Sequence, residues 1–108
     1  MVAINQEIPM EQLANNSSRK VLAYSENVMT VEVYFEKGGF GTRHTHPHEQ
    51  ISYVVYGQVE YEIEGQTWIL NQGDSIHVDA NQNHSCKALE KTLLLDVFTP
   101  MRKDFIKE

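Results

Sequence analysis

Apolar residues at every second position constrain the fold of this chain most strongly. Val31, Val33 and Phe35 alternate with Glu32, Tyr34 and Glu36, and Val59, Tyr61 and Ile63 alternate with Glu60, Glu62 and Glu64. An extended backbone reverses face at each residue, so this pattern buries one side of a strand and wets the other. Residues 50–56 are rich in Ile, Val and Tyr, which suit a pleated surface. They end at Gly57, and a further strand follows at once through a tight turn. Glu64-Gly65 and Asn71-Gln72-Gly73-Asp74 mark two more turns, with glycine supplying positive φ. Short strands are expected at 68–70, 75–78, 85–89 and 92–98, and Pro100 limits the last. Helical periodicity is nearly absent. One turn of helix fits residues 10–13 before Asn15, Asn16, Ser17 and Ser18 stop it, and another fits 101–107. Many short strands with glycine turns at near-regular spacing predict an all-β jelly-roll barrel, whose closure protects its edges.

Chain length and charge narrow the function classes. A chain of 108 residues fits one domain, 1–108. The net charge of −6, with no cluster of Lys or Arg, argues against nucleic acid as a partner. An anionic ligand would therefore be drawn by a local charge, such as a metal ion or one Arg. Cys86 is the one cysteine, so no internal disulfide forms and no oxidising compartment is implied. The first ten residues lack the basic start and apolar run of a signal peptide. No stretch reaches the roughly 20 apolar residues of a membrane helix. The expectation is a soluble cytoplasmic protein with no membrane partner.

Imidazole chemistry is concentrated in one segment. His44, His46 and His48 are spaced by two and would point to one face of an extended chain. Neutral imidazole is a common ligand for Zn, Ni, Cu and Fe. Two such residues on one strand can grip an ion, and His84, after the polar turn 80–83, is the candidate third ligand. Spacing alone leaves open that these histidines are structural or merely exposed. His77 alternates with Ile76 and Val78 and is expected to face away from the core. His48 follows Pro47 and is read as a neighbour of the site or a solvent-exposed side chain.

The spacing also resembles the cupin signatures. The first signature runs Gly, five residues, His-x-His, three or four residues, Glu, six residues, Gly. Here it is Gly38, five residues, His44-Thr45-His46, three residues, Gln50, six residues, Gly57, with Gln50 in place of Glu. The second is present in relaxed form as Gly65 and Gly73-Asp74-Ser75-Ile76, with His84 in the third-histidine position. Asn71 and Asp79 stand where prolines are usual. The resemblance implies a cupin-type double-stranded β-helix with its barrel core at about 19–100. It also implies one divalent transition metal held by His44, His46, Gln50 and His84. Ni, Zn, Mn, Fe and Cu all suit imidazole plus amide. The shell is uncharged, so the ion would keep its full charge, which suits Lewis-acid work more than oxygen chemistry.

A closer resemblance lies in Leu95-Asp96-Val97-Phe98-Thr99-Pro100-Met101-Arg102-Lys103-Asp104-Phe105, with support from 19–24, 31–39 and 44–50. These segments resemble the pectin-degradation cupins that convert 4,5-unsaturated monouronates to linear keto forms. That group also uses Gln as a metal ligand, and its pocket residues correspond here to Asp96, Phe98 and Arg102. The residue types suit the chemistry: Asp96 as general base then acid, Arg102 as a bidentate clamp on a carboxylate, and Phe98 as a pocket wall. The bland alternative is an Asp96–Arg102 ion pair at a strand end, with Phe98 in the core. Cys86 shares the inward parity of His84 but reads as a buried structural thiol. Tyr61 and Trp68 read as core. The implied function is ring opening and ketonisation of an anionic sugar. Another metallo-cupin, such as an iron dioxygenase, and a non-catalytic sugar- or acid-binding cupin are the alternatives. On resemblance, the chain is expected to form a homodimer.

Overall fold

The structure is a computed structural model that describes residues 1–106. Ten strands account for nearly all its regular structure: β1 (Glu11–Gln12), β2 (Ser17–Tyr24), β3 (Met29–Phe35), β4 (Phe40–His44), β5 (Glu49–Tyr56), β6 (Gln58–Ile63), β7 (Gln66–Asn71), β8 (Ser75–Val78), β9 (His84–Ala88) and β10 (Thr92–Thr99). They form a six-stranded sheet in the order β1-β2-β3-β10-β5-β8 and a four-stranded sheet in the order β4-β9-β6-β7. Every pairing is antiparallel. The all-β expectation holds, and among the described residues short 3₁₀ turns occur only at Asn5–Glu7 and Lys103–Phe105.

Period-two patterning places the core. Val54, Val78, Phe35 and Leu94 from the larger sheet pack with Val59, Tyr61, Ile63 and Ala88 from the smaller one. The two inner faces therefore share one apolar interior, where each fully buried aliphatic side chain contributes about 1.5–3 kcal/mol. Met29, Val31 and Phe98 form a second cluster beneath the C-terminal segment, with Met101, Phe105 and Ile106 packed on it. The turns follow the sequence signals. Glu64 and Gly65 both adopt positive φ between β6 and β7, the mark of a tight two-residue hairpin. Gly57 turns β5 into β6 at φ +99°, and a Cβ there would clash with the Lys91 carbonyl oxygen.

Three expectations are corrected. Residues 10–13 do not form a helical turn; Glu11 and Gln12 pair with Arg19 and Ser18 instead. Asn15 and Asn16 both take positive φ, which closes this hairpin, and Arg19 bonds Glu11 at 3.0 Å across it. His44 and His46 do not share one strand, because β4 ends at His44 and His46 lies in the connection to β5. Trp68 is not core: β7 is a solvent-facing edge strand, and Trp68 lies among its exposed residues. The expected C-terminal turn is present at Lys103–Phe105, while Lys107 lies outside the described residues.

Candidate metal centre

Both sheets supply one end of the interior. His44 and His84 are register partners on β4 and β9 of the smaller sheet. Gln50 and Ser52 lie on the inner face of β5, opposite Phe98 and Asp96 of β10 in the larger sheet. Asp96 thus sits on β10 between Leu94 of the first apolar cluster and Phe98 of the second.

The three histidines are oriented alike. The Nδ1–H of His44 donates to the Thr42 carbonyl at 2.7 Å, that of His84 to the Gln82 carbonyl at 2.9 Å, and that of His46 to the His48 carbonyl at 3.0 Å. A carbonyl only accepts, so the proton resides on Nδ1 and each Nε2 carries a free lone pair. Ring nitrogens of His44, His46 and His84 lie within 4.8 Å of one another. Burial, aided by the nearby Arg102 charge, lowers the His46 imidazole to about 4, and burial also lowers that of His84. Both rings therefore stay neutral near pH 7.

Two observations show that a cation fits here. The His84 Nε2 is buried with no hydrogen-bond partner among the described residues. The Gln50 Oε1 lies 2.9 Å from the His46 Nε2, so two lone-pair atoms face each other with no proton between them. Two ligands held about 2.1 Å from one ion at right angles are about 3 Å apart. The cluster is thus able to hold a metal ion.

Around the cluster is a cavity of about 320 Å³, within the range of small-ligand sites. Asp96, Phe98, Arg102 and Phe105 line it. Burial raises the Asp96 carboxyl from 3.8 to about 6, against the lowering effects of a Ser52 hydrogen bond and the Arg102 charge. Arg102 does not pair with Asp96 as the strand-end alternative supposed. Its guanidinium bonds Asp104 at 2.9 and 3.2 Å and stacks over the Phe105 and Phe98 rings at 4.2 and 5.1 Å.

The remaining sequence candidates are placed as follows. His48 packs its ring near His46 and Phe98 but stays outside the nitrogen cluster. His77 faces outward, as expected, and pairs with Glu49 at 2.9 Å. Cys86 lines the cavity wall, and burial followed by the Asp96 charge pushes its thiol up to about 12, as for an inert structural residue. Sequence reading missed Ser52 and took Tyr61 for plain core. Ser52 donates to Asp96 Oδ1 at 2.6 Å, and the Tyr61 hydroxyl accepts from the Gln50 amide at 3.2 Å. The signal for Ser52 was its parity with Gln50: a hydroxyl on the buried face of an Ile/Val/Tyr strand needs a partner.

Two facing antiparallel sheets with a histidine cluster between them define a cupin. The cupin-domain family matches residues 31–98, and the chain belongs to it. Over 105 residues the chain is 41% identical to the pectin degradation protein KdgF of Dickeya dadantii (strain 3937), covering 95% of this chain and 96% of that protein. The solved structure of KdgF from Halomonas sp. superposes with a TM-score of 0.93 at 36% identity, covering 98% of each chain. An RmlC-like cupin from Shewanella frigidimarina NCIMB 400 superposes with a TM-score of 0.94 at 30% identity, covering 97% of this chain and 95% of that one.

Proposed function

We propose that this chain is a metal-dependent cupin enzyme that opens and ketonises 4,5-unsaturated monouronates from pectin-like polysaccharides. The observation that carries the reading is Asp96: a buried carboxyl raised to about 6, in a cavity shared by the histidine cluster and Arg102. Near-full-length similarity to a pectin degradation protein supports it.

In this reading His44, His46, Gln50 and His84 hold one divalent ion. When bound, the ion supplies Lewis acidity that offsets charge developing on substrate oxygen. The neutral donor set leaves its formal charge undiminished. Asp96 removes the proton from the anomeric hydroxyl; the bond from the anomeric carbon to the ring oxygen then breaks, leaving an aldehyde and an enolate. Asp96 returns the same proton to the adjacent alkene carbon, so the linear keto product is an isomer of the substrate. A carboxyl at about 6 suits both halves of this shuttle near neutral pH. Arg102, braced by Asp104 and two aromatic rings, clamps the uronate carboxylate. Phe98 walls the pocket and excludes water.

We further infer a cytoplasmic homodimer. The lone thiol is consistent with a reducing compartment, and Ile51 and Tyr53 lie 47% and 44% exposed on the outer face of β5. Light scattering checks the dimer.

The test of function follows the enol-ether absorbance of an unsaturated galacturonate with metal-replete protein, with the chelated apoprotein as control. Accelerated loss of signal that needs the metal is expected. No acceleration, alongside an active positive control, would sink the reading. Iron-dependent oxygen uptake would favour a dioxygenase, and tight sugar binding without turnover would favour a binding protein.

A further inference from the structure

Behind the cluster lies a run of buried hydroxyls that the reaction above does not use. The Gln50 Nε2 donates to the Ser52 hydroxyl at 3.0 Å and to the Tyr61 hydroxyl at 3.2 Å. The Ser52 hydroxyl donates to Asp96 at 2.6 Å, and the Tyr61 and Ser52 oxygens are 3.4 Å apart. Ser52 and Tyr61 are 1% and 2% exposed, so water does not substitute for these bonds.

Counting protons fixes the direction of every bond. Ser52 has one proton, and the short contact with a carboxylate takes it. Towards Gln50 and Tyr61, the Ser52 oxygen can then only accept. Tyr61 accepts from the amide, so its own proton is directed to Ser52, which fills the serine's two acceptor positions. An ordinary phenol keeps its proton near neutral pH, so that proton is available to Ser52. Residue 50 must therefore present two N–H donors to this wall, and doing so turns its Oε1 to the histidine cluster. A carboxylate at 50 would set a bare acceptor against a serine whose proton is already committed. It would also add a second negative charge two hydrogen bonds from Asp96.

We propose that Ser52 and Tyr61 are positioning residues: they lock the Gln50 amide with its oxygen towards the metal and hold the Asp96 carboxylate, so the metal ligand and the acid–base group form one hydrogen-bonded unit. This explains why the chain carries Gln50 where the cupin signature has Glu. The proposal rests on the metal-ligand and acid–base roles given above, yet metal affinity tests it independently of activity.

Ser52→Ala and Tyr61→Phe each remove one oxygen and leave no cavity, and circular dichroism confirms folding. Affinity for Zn²⁺ and Ni²⁺ is measured by competition with a chromophoric chelator. Ser52→Ala is expected to weaken binding about tenfold, at the lower end of the range for groups that orient metal ligands, and Tyr61→Phe less, by about threefold. Ser52→Thr, which keeps the hydroxyl, is expected to restore affinity to within about threefold of wild type. Gln50→Glu is expected to bind either ion at least as tightly as wild type while losing at least about tenfold in kcat, because the charge disrupts Asp96. Wild type that binds metal but fails to open uronates removes the proposed function and leaves the affinity comparison to decide this proposal. Affinities within twofold of wild type for both Ser52→Ala and Tyr61→Phe would overturn it, as would Gln50→Glu with unchanged turnover.

Discussion

Two groups of potential metal ligands, one inside the barrel and one outside it, meet at opposite faces of β5, and they behave as opposites. Gln50 of β5 and Val78 of β8 are register partners facing the interior. One residue away on each strand, Glu49 and His77 face solvent, where with Asp79 they form a second group of potential metal ligands. The outer imidazole is already partnered: its Nε2 meets Glu49 at 2.9 Å and Asp79 at 3.7 Å, and all three side chains are exposed. The inner cluster has its Nδ1 protons tied to carbonyls and its Nε2 lone pairs converging without protons. One exposed imidazole between two carboxylates thus gives an ordinary surface contact on one face, and three histidines with an amide give a cation-shaped deficit on the other. What separates them is burial and the second-nitrogen bonds as well as ligand identity.

The largest expected effect tests that contrast directly. His84→Ala removes a buried ligand and should lower metal affinity by at least about a hundredfold, beyond what loss of an outer partner causes. The dialysed protein should then hold little metal and show no turnover. His77→Ala should leave metal content at one ion per chain. Elemental analysis of both variants checks this; a second ion that disappears with His77 would break the contrast.

Next in size is the acid–base group. Asp96→Asn should lower kcat by about 10²–10⁴, the usual range for a positioned proton shuttle, with metal content unchanged. Neutralising the outer carboxylates with Glu49→Gln and Asp79→Asn should leave kcat within about twofold, because they face away from the cavity. Absorbance kinetics on one substrate compares all three.

Much of this arrangement is legible in the sequence. The strands over 31–35 and 59–63 follow from alternation alone, and the turns at Gly57, Glu64-Gly65 and Gly73 follow from their demand for positive φ. The histidines could be read because His44, His46 and His84 keep a fixed order and spacing. Ser52 and Tyr61 could not be read as a unit, since their hydroxyls meet only after two sheets face each other across the interior. Likewise, no local pattern tells that Arg102 chooses Asp104 over Asp96, or that residues 10–13 are drawn into a hairpin by Arg19. Trp68 misled because hydrophobicity predicts burial on average, while an edge strand leaves one aromatic face in water.

A pH titration of the metal-free protein should expose the tension stored at Asp96. The folded protein keeps that proton up to about pH 6, whereas the unfolded chain releases it near 3.8. Between these values the folded state binds more protons, so raising the pH lowers stability, by about 3 kcal/mol in full. His46 acts oppositely: its folded value near 4 lies below the ordinary 6.5, so its contribution is present above 6.5 and lost towards 4. Comparing wild type with Asp96→Asn isolates the carboxyl. The variant should be more stable at pH 7.5, and the gap should close by about pH 4. Urea midpoints at each pH give the curve; a constant gap would place the Asp96 proton elsewhere.

The smallest effect belongs to the outer cluster. His77, Glu49 and Asp79 are each about half exposed or more, so water already screens their attraction. Such pairs are worth about 0–1 kcal/mol, and part of that is offset by the side-chain freedom lost in forming them. His77→Ala should therefore shift the urea midpoint by less than 1 kcal/mol in equivalent stability. The shift should shrink further in 1 M salt, where charges are screened within about 3 Å. A loss of several kcal/mol, or one insensitive to salt, would mean that the outer cluster is a structural fastening of β8 to β5 and that the two faces are not opposites after all.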